Sequence, residues 1–231
     1  MKSTKKFGIN TTCVHIGEVK DEQFKGAVSP IYPSTSYAFD GVDIKRYPRY
    51  FNTPNQEMLH KKIAVLEHTE DALIFSSGMA AISAALFAFL QNGDHVIVQQ
   101  VIYGGTFNFM VNEFEKFGIE YSFTESDKIE DFLPLLRPNT KVMYIETPSN
   151  PLLGITDMKA IADLSKQHQI ITMIDNTFAS PINQNPADFG IDIVLHSATK
   201  YMGGHSDISA GATQHDAKRT GLKYTLQVFI V

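Results

Sequence analysis

Six short apolar runs, separated by stretches with helical spacing, constrain the fold of this 231-residue chain more than any other feature. They lie at 72–75 (ALIF), 95–98 (HVIV), 119–124 (IEYSFT), 141–146 (KVMYIE), 170–174 (IITMI) and 191–195 (IDIVL). Each is too short for a helix and reads as a strand with little exposed face. Between them come helical segments. Pro54 opens one in which Leu59, Ile63 and Leu66 recur at helical spacing. A second, rich in Ala and Leu, runs to about Leu90 and ends at Gln91-Asn-Gly93. Phe107, Met110, Val111, Phe114 and Phe117 form one stripe of a third, read as core packing. A short helix is expected over 129–136, and Asp157 caps another that runs through Gln167 with Ile161 and Leu164 inward. Strands alternating with helices predict an α/β fold: a mostly parallel sheet with helices on both faces.

Composition sets few further limits. Hydrophobic content of 43% and charged content of 19% are those of a globular chain, long enough for one large domain or two small ones. A net charge of −5 gives no sign of a nucleic-acid partner. The single cysteine, Cys13, excludes an intrachain disulfide, and no Cys/His spacing suits zinc. The basic start Met1–Lys6 is followed by no signal-peptide core, and no apolar run approaches the roughly 18 residues of a membrane helix. A cytoplasmic protein without membrane contact is the expectation.

The most informative stretch runs from Asp192 to Ser206, DIVLHSATKYMGGHS. An apolar strand ends in Ser197 and Thr199; Lys200 follows, and Gly203-Gly204 breaks the chain. Lys200 is thereby set at the lip of a sheet, where open α/β folds bind ligands. A lysine in surroundings of low polarity loses ammonium solvation and becomes an amine nucleophile. Hydroxyls and a glycine turn suit a phosphate. With no P-loop present, this combination points to pyridoxal phosphate (PLP) held as a Schiff base. A second anion site is expected where the strand at 72–75 runs through Ser76-Ser77-Gly78 into a helix, because free backbone N–H groups and the helix dipole converge there. Asp175 directly follows a fully apolar strand, an expensive place for an acid unless a cation faces it. It precedes Lys200 by 25 residues, which fits adjacent strands joined by a short crossover. No Gly-x-Gly-x-x-Gly follows any strand, so a dinucleotide-binding domain is the weaker alternative.

Position by position, Asp192, Ser197, Thr199, Lys200, Tyr201, Gly204, His205 and Ser206 resemble the lysine signature of the Cys/Met-metabolism PLP enzymes. These include cystathionine γ-synthase, cystathionine β- and γ-lyases, methionine γ-lyase and the homoserine sulfhydrylases. The resemblance implies the large domain of a fold type I PLP-dependent transferase. It assigns Lys200 to the cofactor aldehyde and to proton transfer, Asp175 to the pyridinium nitrogen, and Tyr103 to ring stacking and acid/base work. Gly78, Met79, Ser197 and Thr199 fall to the phosphate, while Thr177 and Asn150 lie beside the cofactor, Asn150 equally readable as an Asn-Pro turn residue. Residues 1–53 form an irregular arm that in the family wraps onto a neighbouring subunit, and Tyr47-Pro-Arg49 matches a Tyr-x-Arg motif reaching the partner's PLP phosphate. A homodimer or homotetramer sharing its sites is implied. So are small substrates such as cystathionine, cysteine or an O-acylhomoserine, with elimination or replacement at Cβ or Cγ. Tyr50-Phe-Asn-Thr-Pro54 departs from the family pattern and leaves the substrate open, although Cys13 does not match the active-site cysteine of methionine γ-lyases, which favours a cystathionine lyase or synthase.

Agreement with the family runs from about residue 10 to Gly211. A PLP-binding domain is thus expected over 54–212, with 213–231 an atypical, possibly frame-shifted tail. Family chains continue into a smaller domain holding the arginine that grips the substrate carboxylate. None of Arg46, Arg49, Arg137 and Arg219 occupies that position. A truncated chain of low activity, or a catalytically silent PLP-binding or interaction fragment, is the expectation.

Overall fold

The computed structural model describes residues 7–215. Its centre is a seven-stranded sheet in the order β1-β7-β6-β5-β4-β2-β3. In chain order the strands are β1 Asp71–Phe75, β2 His95–Val98, β3 Glu120–Phe123, β4 Thr140–Glu146, β5 Ile171–Asp175, β6 Ile193–His196 and β7 Gly211–His215. The first six are those expected from the apolar runs. Strands β2 to β6 pair in parallel, whereas β7 runs antiparallel to both of its neighbours, β1 and β6.

The helices are α1 Ile9–His15, α2 Pro54–Leu66, α3 Gly78–Phe89, α4 Gly104–Glu113, α5 Met158–His168 and the short α6 Ser180–Asn183. Alternation along the strands sends side chains to two faces. On one face Val142 and Tyr144 of β4 pack with Ala81, Ala85 and Leu86 of α3 and Met110 of α4. On the other, Met143 and Ile145 meet Met158, Ile161 and Leu164 of α5. Helix α2 covers Ala72 and Ala212 with Ile63 and Ala64. Both faces are thus covered, and each fully buried side chain such as Met110 or Phe114 contributes about 1.5–3 kcal/mol. Asp157 caps α5 as expected, accepting the Ala160 N–H at 3.0 Å. Thr53 and Gln56 close a reciprocal capping box at the start of α2.

Four expectations need correction. Over 129–136 the chain forms two 3₁₀ turns, Ile129–Asp131 and Leu133–Leu135, because Pro134 has no N–H to continue an α-helix. The aromatic stripe is not wholly core: Met110 and Phe114 are buried, but Phe107 and Phe117 are exposed. Phe117 lies past the end of α4, in a 3₁₀ turn, where its ring packs on Phe87. The arm contains a seven-residue helix, α1, that buries none of its residues. Finally, the boundary drawn at 212 falls inside β7, whose Thr213 and Gln214 are fully buried between β1 and β6. The rest of that tail, with Arg219, lies outside the described residues.

Candidate active site

A cleft of about 720 Å³ opens at the C-terminal ends of β4, β5 and β6, where open α/β sheets bind ligands. Nine of the residues singled out in the sequence line it. They are Gly78, Met79, Tyr103, Asn150, Asp175, Thr177, Ser197, Thr199 and Lys200. They come from five separate segments of chain, so their convergence is a property of the fold.

At one end the N-terminus of α3 faces Ser197. Ser77 caps the helix, its Oγ accepting the Ala80 N–H at 3.1 Å while its carbonyl accepts that of Ala81. The N–H groups of Gly78 and Met79, in the first helical turn, have no intrahelical acceptor and lie at the positive end of the helix dipole. A Cβ on Gly78 would stand 2.7 Å from Ser197 Cβ and 2.9 Å from Ser197 Oγ. Glycine therefore lets the helix end approach the Ser197 hydroxyl closely enough to form one anion cradle.

The floor is carried by strand ends. Asp192 sets the register of β6 by accepting the Thr172 N–H at 2.9 Å and its hydroxyl at 2.8 Å. Thr177 joins the next two turns: its N–H donates to Asp175 Oδ1 at 3.0 Å and its Oγ1 accepts the Ser197 N–H at 2.8 Å. Asp175 is buried, and burial raises its pKa, opposed by hydrogen bonds from Thr177 and by His196. Behind it Glu67, fully buried, accepts from Asn176 Nδ2 at 2.9 Å and pairs with His196 Nε2.

Two site residues depart from expectation. Thr199 lines the cleft, but its hydroxyl donates to the Ala210 carbonyl at 3.0 Å and accepts the Ala210 N–H at 2.9 Å. It thus fastens the lysine turn to the segment leading into β7. Lys200 is exposed, not enclosed by apolar groups as expected. Its turn is closed by Gly203 N–H to the Ala198 carbonyl and Gly204 N–H to the Lys200 carbonyl, both 2.8 Å. Gly204 sits at φ +82°, a conformation that strains other residues.

Tyr103 forms the N-terminal boundary of α4, and a Cβ on Gly105 would collide with its ring. Tyr47 and Arg49 do not line the cleft. They sit on the exposed arm, with the Arg49 guanidinium 5.0 Å from the centre of the Tyr47 ring and the turn held by Asn52. No arginine among the described residues lines the cleft: Arg46 pairs with Glu57 and Arg137 with Glu120.

Sequence reasoning missed Glu146. It ends β4, directly after four apolar residues, the same signal that marked Asp175. Buried in the cleft floor, it has its pKa raised to about 7, first by burial and then by Asp175.

The donor set fits PLP. First-turn N–H groups and the Ser197 hydroxyl suit a phosphate dianion. Asp175 is a buried acid whose ionised form lacks a full cation, and a pyridinium supplies one. Lys200 brings a primary amine to the same cleft.

Comparison with known proteins agrees. The sequence profile of the family described as Cys/Met metabolism PLP-dependent enzyme matches residues 10–228. A cystathionine beta-lyase, MetC, of Bacillus subtilis is 44% identical over 207 residues, covering 88% of this chain and 52% of its own length. An L-methionine gamma-lyase of Fusobacterium nucleatum is 39% identical, covering 90% of this chain and 55% of its own. The chain therefore spans about half the length of the curated relatives it matches. Among solved structures, cystathionine gamma-lyase from Lactobacillus plantarum complexed with L-serine superposes with a TM-score of 0.90 at 36% identity, covering 97% of this chain and 59% of its own. The metB structure from Corynebacterium glutamicum gives 0.92 at 34%, with the same coverage. With its profile matched over nearly the whole chain and its fold shared with these enzymes, this protein belongs to the Cys/Met-metabolism family of PLP-dependent enzymes.

Proposed function

We propose that the chain holds PLP in the cleft at the ends of β4 to β6 and serves C–S bond elimination or γ-replacement on a sulfur amino acid, in the manner of a cystathionine lyase or synthase. The observation that carries this is the convergence of phosphate donors, a buried acid and a lysine in one cleft. When bound, PLP supplies an electron sink for the charge left on a substrate carbon. Gly78 and Met79 N–H groups and the Ser197 hydroxyl hold its phosphate. Asp175 keeps the pyridine nitrogen protonated, the charge pairing offsetting the cost of burying the acid. Lys200 Nζ is the covalent anchor. Freed from that bond, Lys200 Nζ would serve as the base that moves protons at Cα and Cβ of the substrate. Tyr103 covers a face of the ring and takes a proton from the incoming amine.

Tyr47 and Arg49 are assigned to the phosphate of a second copy's site, in a homodimer or a homotetramer. Support comes from the arm itself: its Tyr-x-Arg turn is formed yet exposed, and Phe24, Val28 and Ile31 are exposed by 79%, 69% and 86%. Apolar side chains so presented suit an interface.

A second interpretation, a PLP-binding chain without turnover, is favoured by the absence of any arginine among the described residues lining the cleft. Substrate carboxylate binding both lowers KM and orients the reacting atoms, so its loss lowers kcat as well. Release of pyruvate or 2-oxobutyrate from cystathionine by the purified chain separates the two. Slow, PLP-dependent release supports the enzyme; PLP bound with no release at any cystathionine concentration leaves the silent binder.

A further inference from the structure

Glu146 lies at a junction in the hydrogen-bond network of the cleft. Its backbone is gripped from the residue after β2: Gln99 Nε2 donates to the Glu146 carbonyl at 2.9 Å, and Gln99 Oε1 accepts the Glu146 N–H at 3.2 Å. Gln99 is fully buried, and its Oε1 also accepts the Thr156 hydroxyl at 3.0 Å. With the backbone so fixed, the carboxylate reaches two turns. Oε2 accepts the Tyr103 N–H at 2.7 Å, and Oε1 accepts the Asn150 N–H at 2.8 Å. These turns follow different strands, β2 and β4, and both deliver a side chain into the cleft.

A second observation bears on why the residue is an acid. Glu146 and Asp175 are register partners on adjacent parallel strands, so both side chains leave the sheet on the same face. Two buried carboxylates placed together oppose each other's ionisation. A glutamine would finish a turn without that cost. Resting on the assignment of this cleft to PLP, we infer that Glu146 is the positioning residue of the site: its carboxylate pins the Tyr103 turn and the Asn150 turn to the end of β4, so that both side chains meet the cofactor from one fixed floor. With Glu146 ionised, each tie is a charge-assisted hydrogen bond, about twice as strong as its neutral counterpart. The titratable groups around Glu146 are Asp175 from β5, Tyr144 from its own strand, and Tyr103, Lys200 and Tyr201, which line the same cleft; His196 acts on Asp175 from β6. Burial and Asp175 both favour the protonated acid, while the two backbone N–H groups favour the carboxylate.

The test begins without cofactor. In the isotope-labelled 231-residue chain, the Tyr103 and Asn150 amide protons are expected to shift together with one midpoint at about 7, the value to which Glu146 is raised. In Glu146→Gln, which has a single acceptor oxygen, neither shift shows that midpoint, and amide exchange at one or both turns quickens about tenfold while β4 and β5 amides keep their protection. Glu146→Asp keeps the charge with shorter reach and is expected to retain the titration at only one amide. PLP is then added: Kd for Glu146→Gln is expected to rise about tenfold over wild type. Independent titration of the two amides in wild type, or their unchanged exchange in Glu146→Gln, overturns the tie. Amides released with PLP affinity unaltered overturns its role toward the cofactor. Should the wild-type chain bind no PLP, the functional assignment of the cleft fails, and the wild-type amide titration still decides whether Glu146 joins the two turns.

Discussion

Gly78→Ala places one methyl group where the structure has no room for it. The added Cβ would lie 2.7 Å from Ser197 Cβ and 3.0 Å from Ser197 Cα. Carbon atoms settle at about 3.5–4.0 Å, so the end of α3 and the turn after β6 must separate by roughly 1 Å. Gly78 does not need a positive φ; the cost is one of space alone. Overpacking of this kind costs about 1–3 kcal/mol. The same separation carries one side of the phosphate cradle beyond hydrogen-bond reach, since a contact of about 2.9 Å stretched by 1 Å is no longer a hydrogen bond. Losing one charge-assisted bond weakens PLP binding by about 10- to 100-fold. Gly104→Ala is the control: nothing lies within 4 Å of its Cβ, and it should change stability by less than about 0.5 kcal/mol. Urea unfolding reads the first effect, and PLP titration followed by absorbance reads the second. If Gly78→Ala matches wild type in both midpoint and Kd, the cradle assigned to α3 and Ser197 is wrong.

Two further outcomes are expected. Gln214 is fully buried in β7 with both amide atoms unpartnered among the described residues, so Gln214→Leu should raise stability by about 1–2 kcal/mol in urea; a loss would contradict that account of the strand. His95 is buried between Thr140 and Ser122, and burial, then Arg137, holds its pKa down to about 4. Because the unfolded ring titrates at about 6.5, the unfolded state binds the extra proton, and this contribution to stability is lost as pH falls from about 6.5 through about 4. The His95 C2 proton shift should therefore stay flat between pH 7 and pH 5; a ring titrating near 6.5 would count against it.

Strands were legible where burial is two-sided, because an apolar run such as 193–195 records it directly. β7 was not, since Thr213-Gln-His215 carries none of that signal and is held between β1 and β6 by its neighbours' backbones. The residues lining the cleft were legible through their positions just after strands. Their supports were not: Glu67 meets His196 across 129 residues of sequence, a pairing no local pattern announces. The exposure of Lys200 escaped for the same reason, its neighbours in sequence saying nothing of what stands across the cleft. Glu146 was within reach, because it ends an apolar strand just as Asp175 does.

The central claim is that Lys200, among all the lysines of the chain, is the one that holds the cofactor. It is tested most directly by reducing the purified chain with borohydride in the presence of PLP and mapping the labelled peptide. The account predicts label confined to the peptide carrying Lys200, near one equivalent per chain, and lost in Lys200→Ala. Label spread over exposed lysines, in a yield unchanged by Lys200→Ala, would contradict it.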